Sequence, residues 1–349
     1  MRKNIKFILL VLFTLFIFWF FGRNLNWEEV SQSLRKANIF YLVIAVLIIC
    51  LGYLLRAKRW QVLLEPITPT SLKELFATTT VGFTAVFLVG RAGEIVRPMW
   101  LPMRDKRVRP SAALVTLALE RICDLASLIC FFSVNLIWLK APAGRESEFE
   151  YVKFVGILML IGVGVGIFGL YIYHRISAKV IERFEQTAFS QNKIGRIFLS
   201  IFKQLAASLK VFKDWREVIA VIFWTLALWF AIAIPTWLVL LAFDLPLGFG
   251  ESLFVMGWAA IGSVVPTPGG AAGAFHAATA GGLIFLGIDQ DQAAAVSIAM
   301  HLVYFAPAII FGIYYFFHGD ISIERFRSLL SSENAVEEIE SESPEFQEG

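Results

Sequence analysis

The sequence predicts an all-α, polytopic membrane helix bundle. Of its 349 residues, 58% are hydrophobic and only 17% are charged, and 33 are phenylalanine. The mean hydropathy is +0.69. The apolar runs are long and lack the two-residue alternation of barrel strands. Because lipid offers no partners to backbone N–H and C=O groups, helices are expected to span the membrane.

The long apolar runs predict about six full spans. They are residues 5–21, 39–55, 111–139, 154–173, 218–243 and 293–317. Lys and Arg gather in alternate loops, so the positive-inside rule places both termini in the cytoplasm, in a plasma membrane. We expect residues 1–320 to form the membrane domain and the acidic residues 321–349 to be a disordered tail. Residues 174–217 form a basic connector, interpreted either as partly amphipathic and membrane-bound or as solvated.

Shorter apolar segments predict re-entrant structure. Residues 75–90 lie between two basic flanks, and two cytoplasmic flanks cannot bracket a single span. Residues 252–265 and 273–287 lie in a region without Lys or Arg and are joined by residues 266–270, so they are interpreted as a hairpin that enters from outside. Residues 113–120 and 294–301 also match in their small and branched positions. This match is either an inverted repeat, as in transporters, or a chance similarity of apolar segments.

Charged residues inside an apolar run are the strongest functional signal. Glu120, Arg121 and Asp124 fall within residues 111–139. Each costs roughly 2.5–3.5 kcal/mol at the centre of a bilayer, so these side chains need partners, water or a ligand. Glu120 and Asp124 are four residues apart and share one helix face. They are expected either to line a polar cavity or to fix helix packing through ion pairs.

The segment 90–98 supplies the nearest partners for these charges. It contains Arg91, Glu94 and Arg97, so three arginines can meet three carboxylates. Arg91, Arg97 and Arg121 are candidates to bind a lipid phosphate, because guanidinium groups bind phosphate oxygens bidentately. The alternative for the segment is ordinary anchoring of a helix end.

Two further features complete the candidate site. A helix break at Gly269 and Gly270 would leave a helix N-terminus at membrane depth, which favours anions, or would be a simple tight turn. His276 and His301 join Glu94, Glu120 and Asp124 in a predicted buried polar network. The two histidines are either proton-coupling groups or hydrogen-bonded packing residues.

Three stretches, residues 90–97, 119–124 and 266–270 with Gly273, resemble the signature stretches of the lysylphosphatidylglycerol synthase transmembrane-region family, also called flippase-like or UPF0104-type. The resemblance covers nearly the whole chain to about Phe317. It implies an integral plasma-membrane protein, and the best-understood members move a charged phospholipid between leaflets. This sequence ends in a short acidic tail where the bifunctional members carry a soluble aminoacyl-transferase domain, so lysine transfer is not expected.

These observations predict a protein that translocates or binds an anionic lipid, either a phospholipid or a polyprenyl phosphate, while the acyl tails stay in the bilayer. The alternatives are a membrane-embedded transferase acting on a lipid phosphate, with Asp289 and Asp291 at the spacing of a metal-binding pair, and a non-transporting assembly partner. The sequence contains no Walker loop, metal-spaced His/Cys set or serine nucleophile elbow. We therefore expect no cofactor, metal or nucleic-acid partner. The oligomeric state, the direction and the energy source stay open.

Overall fold

The computed structural model describes residues 19, 22–187, 206, 215–265 and 268–318. These residues form ten α-helices and one 3-10 helix, with no strand among them. The predicted all-α class is therefore confirmed. The acidic tail, nearly all of the first predicted span and residues 188–214 of the basic connector, except position 206, lie outside the described residues.

The described helices follow one another through short connections, except between α6 and α7. In chain order they are α1 Trp27–Lys36, α2 Ile39–Leu64, α3 Leu72–Val89, the 3-10 helix Gly90–Ile95, α4 Val96–Arg104, α5 Pro110–Trp138, α6 Glu146–Glu185, α7 Trp215–Ala242, α8 Phe249–Ser263, α9 Pro268–Phe285 and α10 Gln290–Phe317.

Four of the described helices are long and apolar enough to cross a membrane: α2, the part of α6 at Glu146–Tyr173, α7 and α10. They contain four of the predicted spans, and α5 contains most of a fifth. The total of six stays a prediction. Two boundaries differ from expectation, because α2 continues nine residues beyond position 55 and α6 continues to Glu185. Along α6, Phe154, Val165 and Phe168 are 58%, 66% and 62% exposed, as expected for side chains that face lipid.

The core is built on an antiparallel pair, α2 and α7. The N–H of Asn38, the N-cap of α2, donates to the carbonyl of Ala242 at 2.8 Å, so α2 begins where α7 ends. Further along, Gly52 of α2 lies opposite Ala231 of α7, and the small residues allow a close approach. Helix α10 packs beside this pair and contributes buried apolar side chains such as Val296 and Met300.

Helix α10 begins at the same end of the bundle as α2. Asp289 is its N-cap and accepts hydrogen bonds from the N–H groups of Asp291 and Gln292. The carboxylate of Asp291 accepts from the N–H of Asn26 at 2.9 Å, which ties the start of α1 to the start of α10. The Asp289–Asp291 pair, considered above as a metal-binding spacing, thus acts in capping and in joining helix ends.

The chain reverses direction after α3 and forms a first hairpin with α4. Gly90, at a φ of +70°, begins the turn. Gly93 follows, and a Cβ at that position would collide with the backbone of Ala85 and Val86. On the way back, Val96 packs on Val81. At the base of the hairpin the guanidinium of Arg104 pairs with the carboxylate of Glu74.

Helices α8 and α9 form a second hairpin. Gly262 packs against the backbone of Ala274, and Gly282 packs against the Trp258 ring. At its tip the residues 269, 270 and 271 have φ values of 72°, 64° and 61°, so the helical path of α9 is broken at its start. The predicted break at Gly269 and Gly270 is therefore present, and Ala271 shares its left-handed conformation. Glycine adopts this conformation without the steric cost that Cβ brings to alanine.

The two hairpins approach the middle of α10 from opposite ends. Phe76, early in α3, contacts Tyr315 near the end of α10, whereas Phe87, late in α3, contacts His301. The second hairpin starts from the other end of α10, and its tip glycine Gly270 abuts Phe305. The tips therefore meet near the centre of the bundle. This opposed arrangement is compatible with the predicted inverted repeat, which stays a prediction.

Candidate functional site

A cluster of six charged side chains is buried between α2, α4 and α5. We call it the charge cluster. Its members are Arg56 and Arg59 of α2, Arg97 of α4, and Glu120, Arg121 and Asp124 of α5. The cluster connects α2 to the consecutive helices α4 and α5, and it lies beside the hairpin tips.

Glu120 forms the fully buried half of the cluster. Its Oε2 accepts a hydrogen bond from Arg97 Nη1 at 2.7 Å, and its Oε1 lies 3.6 Å from Arg59 Nη2. The side chains of Glu120 and Arg59 are 0% exposed, and that of Arg97 is 4% exposed. The guanidinium of Arg97 also lies 4.3 Å from the centre of the Trp60 ring, a cation–π contact. Charges this deeply buried are tolerated only when they are paired.

Asp124 forms the more open half of the cluster and pairs with three guanidinium groups. Its Oδ1 accepts from Arg59 Nη1 at 2.7 Å. Its Oδ2 lies 3.3 Å from Arg56 Nη1 and 3.3 Å from Arg121 Nη2. The side chains of Asp124 and Arg121 are 14% and 37% exposed. One carboxylate oxygen is thus shared by two arginines that reach it from different helices.

Positive charge exceeds negative charge in the cluster. Four guanidinium groups face two carboxylates, so these six side chains carry a formal excess of two positive charges. Several buried N–H groups find no acceptor within the described part of the chain, namely Nε and Nη2 of Arg59, Nε and Nη2 of Arg97, and Nε of Arg121. Leaving such donors unsatisfied is costly, and an anionic group with several acceptor oxygens would offset that cost.

A cavity of about 130 Å³ lies between the two hairpin tips; we call it the tip cavity. Gly90 and Glu94 line it from the first hairpin, Gly270 from the second, and Arg121 from the charge cluster. The glycines at the two hairpin tips, Gly90 and Gly270, therefore lie around the same cavity as Arg121, one of the predicted phosphate-binding arginines. A ligand here would contact a guanidinium, a carboxylate and backbone at two glycines.

A second cavity of about 190 Å³ lies next to the tip cavity; we call it the apolar cavity. Its walls come from α2, α3 and α7–α10 and include Ile49, Trp229 and Met256. Arg56 is the one charged residue among its lining residues. The two cavities share three of their lining residues, Phe83, Ser263 and Phe305.

The structure assembles part of the predicted site directly. Arg97, Glu120, Arg121 and Asp124 meet in the charge cluster. In this cluster four arginines meet two carboxylates, because α2 supplies Arg56 and Arg59. Glu94 lines the tip cavity. The expected pairing of three arginines with three carboxylates stays a prediction. Arg91 lies in the 3-10 helix of the first hairpin, and its side chain is outside the described part.

The predicted histidines lie beside each other. His276 and His301 are each 7% exposed, and their ring centroids are 4.9 Å apart. His301 also packs on Phe275 and Phe305, at centroid distances of 5.2 and 4.7 Å. Glu120 and Asp124 belong to the charge cluster. A single network that joins them to the histidines stays a prediction. No group of three or more His, Cys, Asp or Glu residues suited to a metal ion occurs among the described residues.

Arg56 and Arg59 are the functional candidates that sequence reasoning missed. They were interpreted as the cytoplasmic end of a span, because the apolar run stops at residue 55. Helix α2 instead continues to Leu64, and the spacing of three residues puts both guanidinium groups on the face that meets α5. The signal available in the sequence was the return of apolar residues after Arg59, at Trp60, Val62 and Leu63.

Comparison with known proteins agrees with this architecture. Residues 7–312 match the family model of the lysylphosphatidylglycerol synthase transmembrane region. The chain belongs to this family. It is also similar to a UPF0104 membrane protein of Pyrococcus horikoshii, with 22% identity over 316 residues, covering 86% of this chain and 91% of the relative. The resemblance found in the sequence is thus confirmed, and this member of the lysylphosphatidylglycerol synthase transmembrane-region family is an integral membrane protein.

The part that matches the family model contains the whole site. Both hairpins, the six residues of the charge cluster and both cavities lie within residues 7–312. The site is therefore built from family-matched sequence.

Proposed function

We propose that this protein translocates an anionic lipid between the leaflets of the plasma membrane, by binding the lipid phosphate at the charge cluster. The observation that carries the proposal is the excess of buried guanidinium groups beside the tip cavity. A phosphate bears the opposite charge and several acceptor oxygens, and arginine binds it in a planar, bidentate geometry. A phospholipid and a polyprenyl-phosphate lipid offer the same group.

The opposed hairpins support movement between leaflets. Their tips meet near the middle of α10, so a site between them is reachable from either side after a modest shift of one hairpin against the other. Ligand sites between broken helices near the bilayer midplane are a recurring feature of secondary transporters. In this proposal both hairpins are re-entrant, and the non-helical backbone at their tips is covered by protein and lines a cavity, as a membrane requires.

The distribution of basic residues supports an orientation. Lys58 near the end of α2, Arg104 at the end of α4, and Arg107 and Arg109 before α5 lie toward one end of the bundle. By the positive-inside rule this end faces the cytoplasm, and both termini then lie in the cytoplasm as well. The loops around Asp244 and Asp289 lie at the other, external end.

The test is lipid redistribution in proteoliposomes that contain the purified protein. Fluorescent phosphatidylglycerol, a neutral glycolipid and a short polyprenyl phosphate are incorporated separately, and a membrane-impermeant reductant measures the fraction exposed in the outer leaflet over time. We expect one or both anionic lipids to exchange faster than in protein-free liposomes, and the neutral lipid to stay at the background rate. Equal background rates for all three would contradict the proposal. A chemically altered lipid would favour the transferase alternative.

A further inference from the structure

The apolar cavity adjoins the charge cluster through a single residue, Arg56. Its guanidinium lies at the edge of the cavity and pairs with Asp124 Oδ2 at 3.3 Å. It also lies 4.8 Å from the centre of the Phe83 ring, and Phe83 lines both cavities. A phosphate held between Arg56 and Arg121 would therefore sit at the boundary between a polar and an apolar compartment.

The three hydroxyl groups of the cavity wall are satisfied by backbone carbonyls, whereas the indole N–H of Trp229 finds no acceptor within the described part of the chain. Tyr53 donates its hydroxyl hydrogen to the carbonyl of Tyr304 at 2.9 Å, and the Tyr304 hydroxyl lies 3.0 Å from the carbonyl of Ile232. The Ser263 hydroxyl donates to the carbonyl of Ala260 at 2.7 Å. These residues present rings and hydrocarbon to the cavity, so its interior suits a hydrocarbon group far better than a polar one.

The α8 side of the apolar cavity lies next to exposed apolar side chains of the same helix. Ala260 and Ser263 on α8 are half-buried, and beside them on the same helix Ile261 and Val264 are 58% and 62% exposed. Exposed apolar side chains on a membrane protein face the lipid hydrocarbon. A chain could therefore enter the cavity from the lipid along α8 without passing a charged side chain.

We propose that the apolar cavity holds a hydrocarbon chain of the same lipid whose phosphate binds at Arg56 and Arg121. The proposal rests on the proposed function and extends it, since both ends of the substrate are bound. It departs from the expectation that the tails remain in the bilayer. The occupant is a lipid chain because the cavity is apolar and continuous with a site of excess positive charge. The substrate is therefore recognised as an amphiphile, and a phosphate without a chain binds more weakly.

Trp229 provides a direct probe, because it lines the apolar cavity and bromine atoms quench tryptophan fluorescence on contact. Phosphatidylglycerol with dibrominated chains is titrated into the detergent-purified protein. The variants are Trp229→Phe, the cavity-filling Ala260→Leu, and the control Trp215→Phe, whose ring is 67% exposed outside the cavity. We expect saturable quenching in the wild type that unbrominated phosphatidylglycerol displaces and glycerol 3-phosphate displaces poorly. It should persist in Trp215→Phe and be lost in both other variants.

The quenching and translocation assays together distinguish a failure of the chain site from a failure of the proposed function. Undiminished saturable quenching in Trp229→Phe would overturn the chain site, because another tryptophan would then report the contact. Translocation in proteoliposomes without saturable quenching of Trp229 would likewise overturn the chain site while the proposed function stands. Saturable quenching of Trp229 without translocation would support the chain site and contradict the proposed function. A misfolded Ala260→Leu leaves the Trp229→Phe comparison intact, since that comparison requires only the ring replacement.

Discussion

Asp124 and Glu120 are neighbours on one helix face, yet their surroundings give them different roles. Glu120 is fully buried, and Arg97 and Arg59 surround it, so it serves mainly to hold α2, α4 and α5 together. Asp124 is more exposed and shares one oxygen between Arg56 and Arg121, which line the two cavities. An entering phosphate would compete with that shared oxygen, whereas the ion pairs of Glu120 would stay in place.

The buried pair Arg97–Glu120 gives the first prediction. We expect Arg97→Gln and Glu120→Gln each to lower the free energy of unfolding by about 3–5 kcal/mol, because each removes one partner of a buried ion pair. The double variant should lose less than the sum of the two. The measurement is denaturant unfolding in detergent, arranged as a double-mutant cycle. Additive losses would show that the two side chains do not interact.

Gly82 gives the second prediction, because the side chain of Arg97 lies directly over it. A Cβ at position 82 would collide with Arg97 Cγ and lie 3.0 Å from its Cδ. We expect Gly82→Ala to destabilise the protein by about 1–3 kcal/mol, as overpacking usually does, and to displace Arg97 from Glu120. Gly162→Ala on α6 is the matched control, since nothing lies within 4 Å of its added Cβ. Equal melting temperatures for the two variants would refute this close contact.

Among the helices, the two hairpins determine where the site lies. Each consists of helices of at most 18 residues, and small residues at Gly93 and Gly262 let the returning segment pack closely. The tips can meet because Gly90 and Gly270 adopt positive φ values, which reverse or break the helix within a few residues. Longer side chains at these positions would separate the tips and open the tip cavity.

Cysteine accessibility tests the hairpins, and it is the third prediction. Cys50, Cys123 and Cys130 are first replaced by alanine, and single cysteines are placed at the exposed positions 73, 107, 246 and 290. With a membrane-impermeant thiol reagent, we expect Lys73→Cys and Arg107→Cys to react from the cytoplasmic side and Pro246→Cys and Gln290→Cys from the external side. The cysteine-free protein is the control. Reaction of the two members of either pair from opposite sides would show that the hairpin crosses the membrane.

The sequence predicted the positions of most helices but not the full extent of α2, and both outcomes have a physical reason. Hydropathy and the Lys/Arg pattern depend on lipid and on the insertion machinery, so they predicted α7 and α10. The glycine pair predicted the break at Gly269 and Gly270, because glycine adopts positive φ values easily. The extent of α2 depends on tertiary partners instead. Arg56 and Arg59 end an apolar run in the sequence. In the structure they are largely buried and pair with Asp124, which lies 68 and 65 residues further along the chain. No local pattern contains that pairing.

The whole molecule combines a packed core with two opposed hairpins. Helices α2, α7 and α10 form the core, and the hairpins reach its centre from opposite ends. The re-entrant course of the hairpins stays a prediction, and the sequence singled out most of the carboxylates and arginines near their tips. It could not predict that the tips enclose one cavity with a second, apolar one beside it, because cavities arise from the relative placement of all these helices.

The central claim is that Arg56 and Arg121 bind the phosphate of a lipid during its passage between leaflets. The most direct test compares Arg56→Gln and Arg121→Gln with Arg107→Gln in the proteoliposome assay, using phosphatidylglycerol and polyprenyl phosphate. Arg107 is 67% exposed and pairs with Asp105 outside the charge cluster, so it is the matched control. Each variant must first elute as a folded, monodisperse protein.

We predict that wild type and Arg107→Gln translocate the lipid at similar rates. Arg56→Gln and Arg121→Gln should slow it by about tenfold or more, since a charge-assisted hydrogen bond is worth about 1.5–3 kcal/mol and about 1.4 kcal/mol corresponds to a factor of ten in rate. Unchanged translocation in both cluster variants, or an equal loss in Arg107→Gln, would contradict the claim.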